Sequence, residues 1–237
     1  MHYSEIFNLR WSDVDHYRIP SLIVTKKGTV LAFCNNRRDS GQDHAEQVDL
    51  ICLRKPLFGE WEEHTLVSHE GWSCHIGSAS YDGASGDVMC TFGRSAIPIH
   101  EWKDYTDEER RQIQLQILEK AERDGIRPGS YILRSADDGE SWVEAPFDQR
   151  PARVTYTDGT EHDVLCGCHG SSHGIVLQHG EHRGRIVCPS RFSIGKYSTM
   201  ETIKYHSYNN CVYSDDGGRT WQASRPVQIG TGEGTLA

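Results

Sequence analysis

Ser135-Ala-Asp137-Asp-Gly139-Glu-Ser141-Trp142 and Ser214-Asp-Asp216-Gly-Gly218-Arg-Thr220-Trp221 are two copies of one octapeptide, S-x-D-x-G-x-[ST]-W. Each follows a short strand signal, SYILR at 130–134 and NNCVY at 209–213. The pattern predicts a hairpin: Asp and Gly build a tight turn, the Ser or Thr hydroxyl bonds backbone groups within it, and Trp covers the apolar base. A third, eroded copy is read over Arg54–Trp61, where Gly59-x-Trp61 remains and the aspartate does not. Outward from these, short apolar runs such as SLIVT (21–25), TVLAFC (29–34), VDLICLR (48–54), DVMCTFG (87–93) and GRIVCPS (184–190) are punctuated by Gly, Asp and Ser. The chain therefore reads as all-β. Units of two and four strands recurring every few tens of residues point to a β-propeller rather than a sandwich.

One segment breaks the pattern. Thr106-Asp-Glu-Glu109 is a capping box, Ile113, Ile117 and Ala121 share one helical face, and Gly125 with Pro128 beyond closes the run. This predicts an inserted surface helix over about 107–124, packed on the rim of the sheets, with substrate gating as the alternative. Among 237 residues the formal net charge is −9, which argues against a nucleic-acid or anionic-membrane surface. No apolar run has the length of a membrane span, and MHYSEIFNLRWSD lacks the basic and apolar regions of a secretory signal. As written the chain is expected in the cytoplasm, with secretion the alternative if the native start lies upstream. The eight cysteines sit in strand-like segments and read as reduced and mostly buried. Cys166-Gly-Cys168-His169 is too tightly spaced for a zinc knuckle, so no metal is expected.

Tyr17-Arg18-Ile19-Pro20 resembles the YRIP motif that opens the first blade of sialidases, and the two octapeptides resemble the Asp boxes of that family. The stretch from Gly174 to Pro189 is also similar to a family segment, so the resemblance runs from about residue 9 to the end. It implies a six-bladed propeller of which residues 1–237 supply about the first three blades, the C-terminal blades being absent. It further implies an exo-sialidase that removes terminal sialic acids from glycans with retention, using a tyrosine nucleophile beyond this chain and no cofactor. The rival readings are a hydrolase of another acidic sugar and a non-catalytic glycan-binding propeller.

The residues suit an acidic sugar. A guanidinium holds a carboxylate through two parallel hydrogen bonds and stays charged at any working pH, and Arg18 is the candidate, with a structural ion pair as its alternative. By resemblance it is the first of the family's three arginines. The polar loop Asn35–Glu46 matches the acid/base loop, with Asp43 as general acid/base, Asp39 as its competitor in an uncertain register, and Arg37, or Arg38 if the register slips, as a flanking binding residue. Glu233 matches the glutamate that takes the proton from the tyrosine; a neutral phenol avoids the repulsion that a carboxylate nucleophile would meet from the substrate's own carboxylate. Tyr156, Tyr197, Tyr205 and Tyr208 do not match the nucleophile's motif. Ser78 departs from the family pattern near the N-acetyl side of the substrate. His169 and His173 read as loop histidines.

Overall fold

The computed structural model describes residues 16–38, 41, 45, 47–96, 106–155, 161–165, 167, 172–193 and 207–225. Strands β1 (His16–Val24), β2 (Val30–Arg37), β3 (Val48–Lys55) and β4 (Glu62–Val67) make a first antiparallel meander. A second consists of β5 (Ser73–Tyr81), β6 (Val88–Ser95), β7 (Gly129–Ser135) and β8 (Val143–Pro146), with helix α1 (Asp107–Asp124) inserted between β6 and β7. Short strands β9 (Gln149–Arg150), β10 (Ala152–Thr155), β11 (Glu161–Val164) and β12 (Ser172–His173) lead to the third meander. This comprises β13 (Ile175–Val176), β14 (Ile186–Ser193), β15 (Ser207–Ser214) and β16 (Trp221–Ala223), and β9 adds to its edge parallel to β16. Successive meanders touch through parallel pairs, Val48 with Ser73 and Ser78 with Ser172. The described residues form no closed ring.

The core lies in two layers between the meanders. Leu31, Phe33 and Cys52 of the first meet Val88, Cys90 and Leu133 of the second, and Met89 and Ile132 meet Ile186, Cys188, Val212 and Trp221 of the third. Alternate residues of β6 thus enter different layers, so both its faces are buried and it opens on the unbroken apolar run Val88-Met-Cys90 rather than an alternation. The thiols belong to this packing: Cys34, Cys52, Cys74, Cys90 and Cys188 are buried and unbridged, and burial pushes Cys74 up to about 11 and Cys52 up to about 12. Cys166 and Cys168 lie outside the described residues.

Both octapeptides fold alike, each joining the third and fourth strands of its meander. Ser135 Oγ donates to Asp137 Oδ1 (2.8 Å) and accepts from the Gly139 amide (2.8 Å), while Asp137 accepts from the Ser141 amide (2.9 Å) and hydroxyl (2.5 Å). Ser214, Asp216, Gly218 and Thr220 repeat those bonds at 2.8, 2.8, 2.9 and 2.8 Å. Each indole donates to the glycine carbonyl, at 3.2 Å for Trp142 and 3.0 Å for Trp221. The third copy departs from expectation. Arg54 and Arg134 hold equivalent register positions, opposite Leu31 and Met89, yet Trp61 follows its arginine by one residue fewer than Trp142 does. Without the aspartate the turn closes simply, the Gly59 amide donating to Pro56 O at 3.1 Å.

The sequence motif did not reveal that each turn clasps the preceding meander. Arg54 donates to Asp138 O (3.0 Å) and Glu140 (2.9 Å), and Thr29 donates to the Asp138 carboxylate. One meander later, Arg134 donates to Gly217 O (3.2 Å) and Gly218 O and pairs with Asp87 (2.8 Å). A Cβ at Gly139 would lie 2.6 Å from Leu31 Cδ2, so the turn backbone rests directly on the neighbouring sheet.

The turn aspartates carry a pH prediction. Donors from Ser141, then Ser135, hold Asp137 at about 2. For Asp216 burial opposes ionisation, but the Thr220 amide and hydroxyl outweigh it and also bring the group to about 2. Folded-state values below the ordinary carboxylate range mean that the stabilisation is complete above about pH 4 and is lost as pH falls toward 2. In thermal melts from pH 5 to pH 2, the Asp137→Asn, Asp216→Asn double variant is expected to lose less stability than the parent over that window; equal slopes would contradict this.

Candidate functional site

In antiparallel meanders the ends alternate, so the octapeptide turns gather at one end of the sheets. The start of β1, the end of β2, the 38–47 loop and the α1 insertion lie at the other. Arg18 stands at that second end, exposed. Its strand pairs Arg18 with Asn35 but Ser21 with Phe33, which leaves one extra residue opposite β2. Pro20 cannot donate to the ladder, and Ile19 takes φ 57°, a left-handed conformation costly for a β-branched side chain. This bulge changes the face on which Arg18 falls. Without it Arg18 would share the face of Leu22 and Val24, which are 49% and 58% exposed; with it Arg18 shares the face of buried Ser21 and Ile23. Its opposite number, Asn35, accepts from the Ile76 amide (2.9 Å) and bonds His75 (3.2 Å) on the next meander. Arg18 therefore projects over the junction of two meanders. Among the described residues no carboxylate pairs with it, so the structural ion pair weighed above has no partner there.

The 38–47 loop returns to the same place. A Cβ at Gly41 would lie 3.5 Å from His16 Nδ1, so the loop crosses the start of β1 two residues before Arg18. Arg37 is buried and donates to Gly41 O at 2.7 Å. Its guanidinium ties down the loop's path, which differs from a group lying open to substrate. Arg38 pairs with fully buried Asp49 at 2.6 Å, and Asp49 also accepts from Gln47 (3.0 Å) and Ser68 (2.8 Å). This network anchors the loop's far side. Polar composition alone gave no sign of it, because its members are spread from 38 to 68. Asp39, Asp43 and Glu233 lie outside the described residues, as do His169, Tyr156, Tyr197 and Tyr205.

Helix α1 matches its expected bounds. Thr106 accepts from the Glu109 amide, Glu109 reaches back to Thr106 N (2.7 Å), and Gly125 closes the helix in the left-handed conformation. It is moored by its last turn: Asp124 accepts from Trp72 Nε1 (3.0 Å) and Lys120 (2.6 Å), and Lys120 Nζ lies 5.4 Å from the Trp72 ring centroid. Ile113, Ile117 and Ala121 are half-buried, while Leu118 is 60% exposed, so the rim packing is looser than the sequence suggested. Ser78 is buried, its hydroxyl donating to Pro189 O at 3.2 Å between the second and third meanders. Among the described residues no group of histidine, cysteine and carboxylate side chains is arranged to hold a metal.

No family model matches the chain. The sialidase of Paraclostridium sordellii is 24% identical over 221 residues, covering 91% of this chain and 48% of that protein. The sialidase of Micromonospora viridifaciens is 25% identical over 229 residues, covering 92% and 30%. The chain thus spans about half, or less, of the length of these relatives. Among solved structures, a Hadza microbial sialidase superposes with a TM-score of 0.62 at 18% identity, covering 92% of this chain and 39% of that one. The intramolecular trans-sialidase of Ruminococcus gnavus superposes with a TM-score of 0.61 at 14% identity, covering 97% and 64%. In sequence the chain is similar to part of these sialidases, and its mostly β fold resembles the matching parts of the solved structures.

Proposed function

We propose that this chain is part of a retaining exo-sialidase, its three meanders being blades of a six-bladed propeller completed by further sequence. The observation that carries the reading is the exposed guanidinium of Arg18, which pairs with no carboxylate among the described residues and is set by a bulge on the face of Ser21 and Ile23, two residues from where Gly41 crosses β1. Arg18 binds the carboxylate of a terminal sialic acid on a glycan. Asp43 protonates the departing glycosidic oxygen as a tyrosine oxygen bonds to the anomeric carbon, and Glu233 takes the phenolic proton. In the second step water, deprotonated by Asp43, displaces the tyrosine and restores the original configuration. Arg37 holds the loop that fixes Asp43.

The test is hydrolysis of sialyllactose, whose leaving group is an unactivated sugar hydroxyl, by the full protein that carries this chain. Asp43→Asn is expected to lower kcat by about 10²- to 10⁴-fold with a poor leaving group, the usual range for loss of a general acid. Asp39→Asn should leave most activity, and proton NMR should show the α anomer of sialic acid released first. Unchanged turnover in Asp43→Asn would remove the proposal.

A further inference from the structure

At the end opposite Arg18, the 82–87 turn of the second meander, the 177–185 turn of the third and the second octapeptide turn enclose a cleft of about 840 Å³. Its floor combines the Tyr81 ring with Val176 and Leu177, and its rim carries Lys26, Arg183 and Arg219. We propose that this cleft is a second glycan site, which binds a sugar chain through its anionic groups. The reasoning starts from which polar groups remain available to a ligand. Four aspartates line the cleft, and each is already engaged. Asp82 accepts from the Ala84 amide (2.9 Å), the Ser85 amide (3.3 Å) and the Ser85 hydroxyl (2.9 Å). Asp87 pairs with Arg134 at 2.8 Å, and Asp215 pairs with Arg185 through both oxygens at 2.7 and 2.9 Å. Asp216 is bound inside its own turn by Ser214, Arg219 N and Thr220.

The cations divide: Lys26 donates to Gly83 O and Arg134 is tied to Asp87, whereas two arginines are differently placed. Arg183 and Arg219 are exposed, and among the described residues neither guanidinium has a carboxylate or carbonyl partner. What the cleft offers is therefore an excess of forked donors over acceptors, set beside an aromatic ring and two aliphatic side chains. Forked donors match carboxylate and sulfate oxygens, and an apolar floor suits the faces of sugar rings. The two arginines come from two turns of the third meander and the Tyr81 ring from the second, so the site exists only where the third meander is docked on the second. A ligand here would bind without obstructing Arg18. The sugar part of this assignment rests on the glycoside hydrolase reading, whereas the anion chemistry does not.

The test uses the chain carrying Arg18→Ala, so that the proposed catalytic clamp cannot report. Titration with an α2,8-linked sialic acid tetramer, a heparin tetrasaccharide and neutral lacto-N-tetraose is followed by calorimetry and amide NMR. One or both anionic probes should bind and shift the amides of Gly83, Gly184 and Gly217, and the neutral one should not. Arg183→Ala with Arg219→Ala should weaken binding by about tenfold or more, with an unchanged melting temperature because both side chains are exposed. Equal or tighter binding of the sialic acid tetramer shows that carboxylates suffice, and tighter binding of the heparin probe, which adds sulfates to its carboxylates, points to sulfate. Binding that survives the double substitution, shifts confined to the opposite end of the sheets, or no binding of either anionic probe overturns the assignment. A failure here leaves hydrolysis by the unsubstituted protein intact, and a failure of hydrolysis leaves this binding intact.

Discussion

Arg18→Ala is expected to lower kcat/KM for a sialoside by roughly 10²- to 10³-fold, about 3 to 4 kcal/mol, the scale of losing a bidentate bond to a charged group. The same substitution should barely change the melting temperature, because the side chain is exposed and no carboxylate among the described residues depends on it. This combination separates the roles weighed for Arg18. A guanidinium in a structural ion pair would, on removal, leave a stranded partner and cost stability. Arg18→Lys keeps the charge but loses the fork, and should recover only a small part of the activity. Full stability with full activity would contradict the assignment.

The second large effect is expected in stability. Gly218 lies at φ 80°, and a Cβ there would overlap Met89 Sδ and lie 3.1 Å from Arg134 Nη2. Gly218→Ala should therefore combine left-handed strain with overpacking of the clasp, together about 3 kcal/mol, or roughly 6 to 12 °C in melting temperature for a chain of this size. Gly86→Ala is the control: its φ is 87°, but nothing lies within 4 Å of the added atom. Only strain then acts, about 1 kcal/mol. If both variants melt alike, the octapeptide turn does not bear on the neighbouring meander.

These two positions mark how far the sequence could be read. The hairpin chemistry of Ser135–Trp142 and Ser214–Trp221 was legible because every bond within it is local, and the same holds for the caps of α1. Arg54 and Arg134 were not, since each acts on a turn about eighty residues downstream and nothing in its own strand distinguishes it from a solvent-facing arginine. At the candidate site, Arg18 was recognised from its motif, but its direction depends on the bulge at Ile19 and Pro20. No propensity assigns a left-handed conformation to isoleucine, so that turn of the strand came only from three-dimensional structure. Arg37 was read as part of the polar loop but ends β2, and its contact also differs, because a buried bond to Gly41 O and a substrate contact have the same sequence signature.

The central claim is that Arg18 receives the carboxylate of a sialic acid beside the loop bearing Asp43. A crystal structure of the full protein with sialic acid bound tests this most directly. Two guanidinium nitrogens of Arg18 should lie about 2.7 to 2.9 Å from the two carboxylate oxygens, with the Asp43 carboxyl group facing the anomeric oxygen. A sialic acid seated elsewhere, or one whose carboxylate is held by other groups while Arg18 points into solvent, would contradict it.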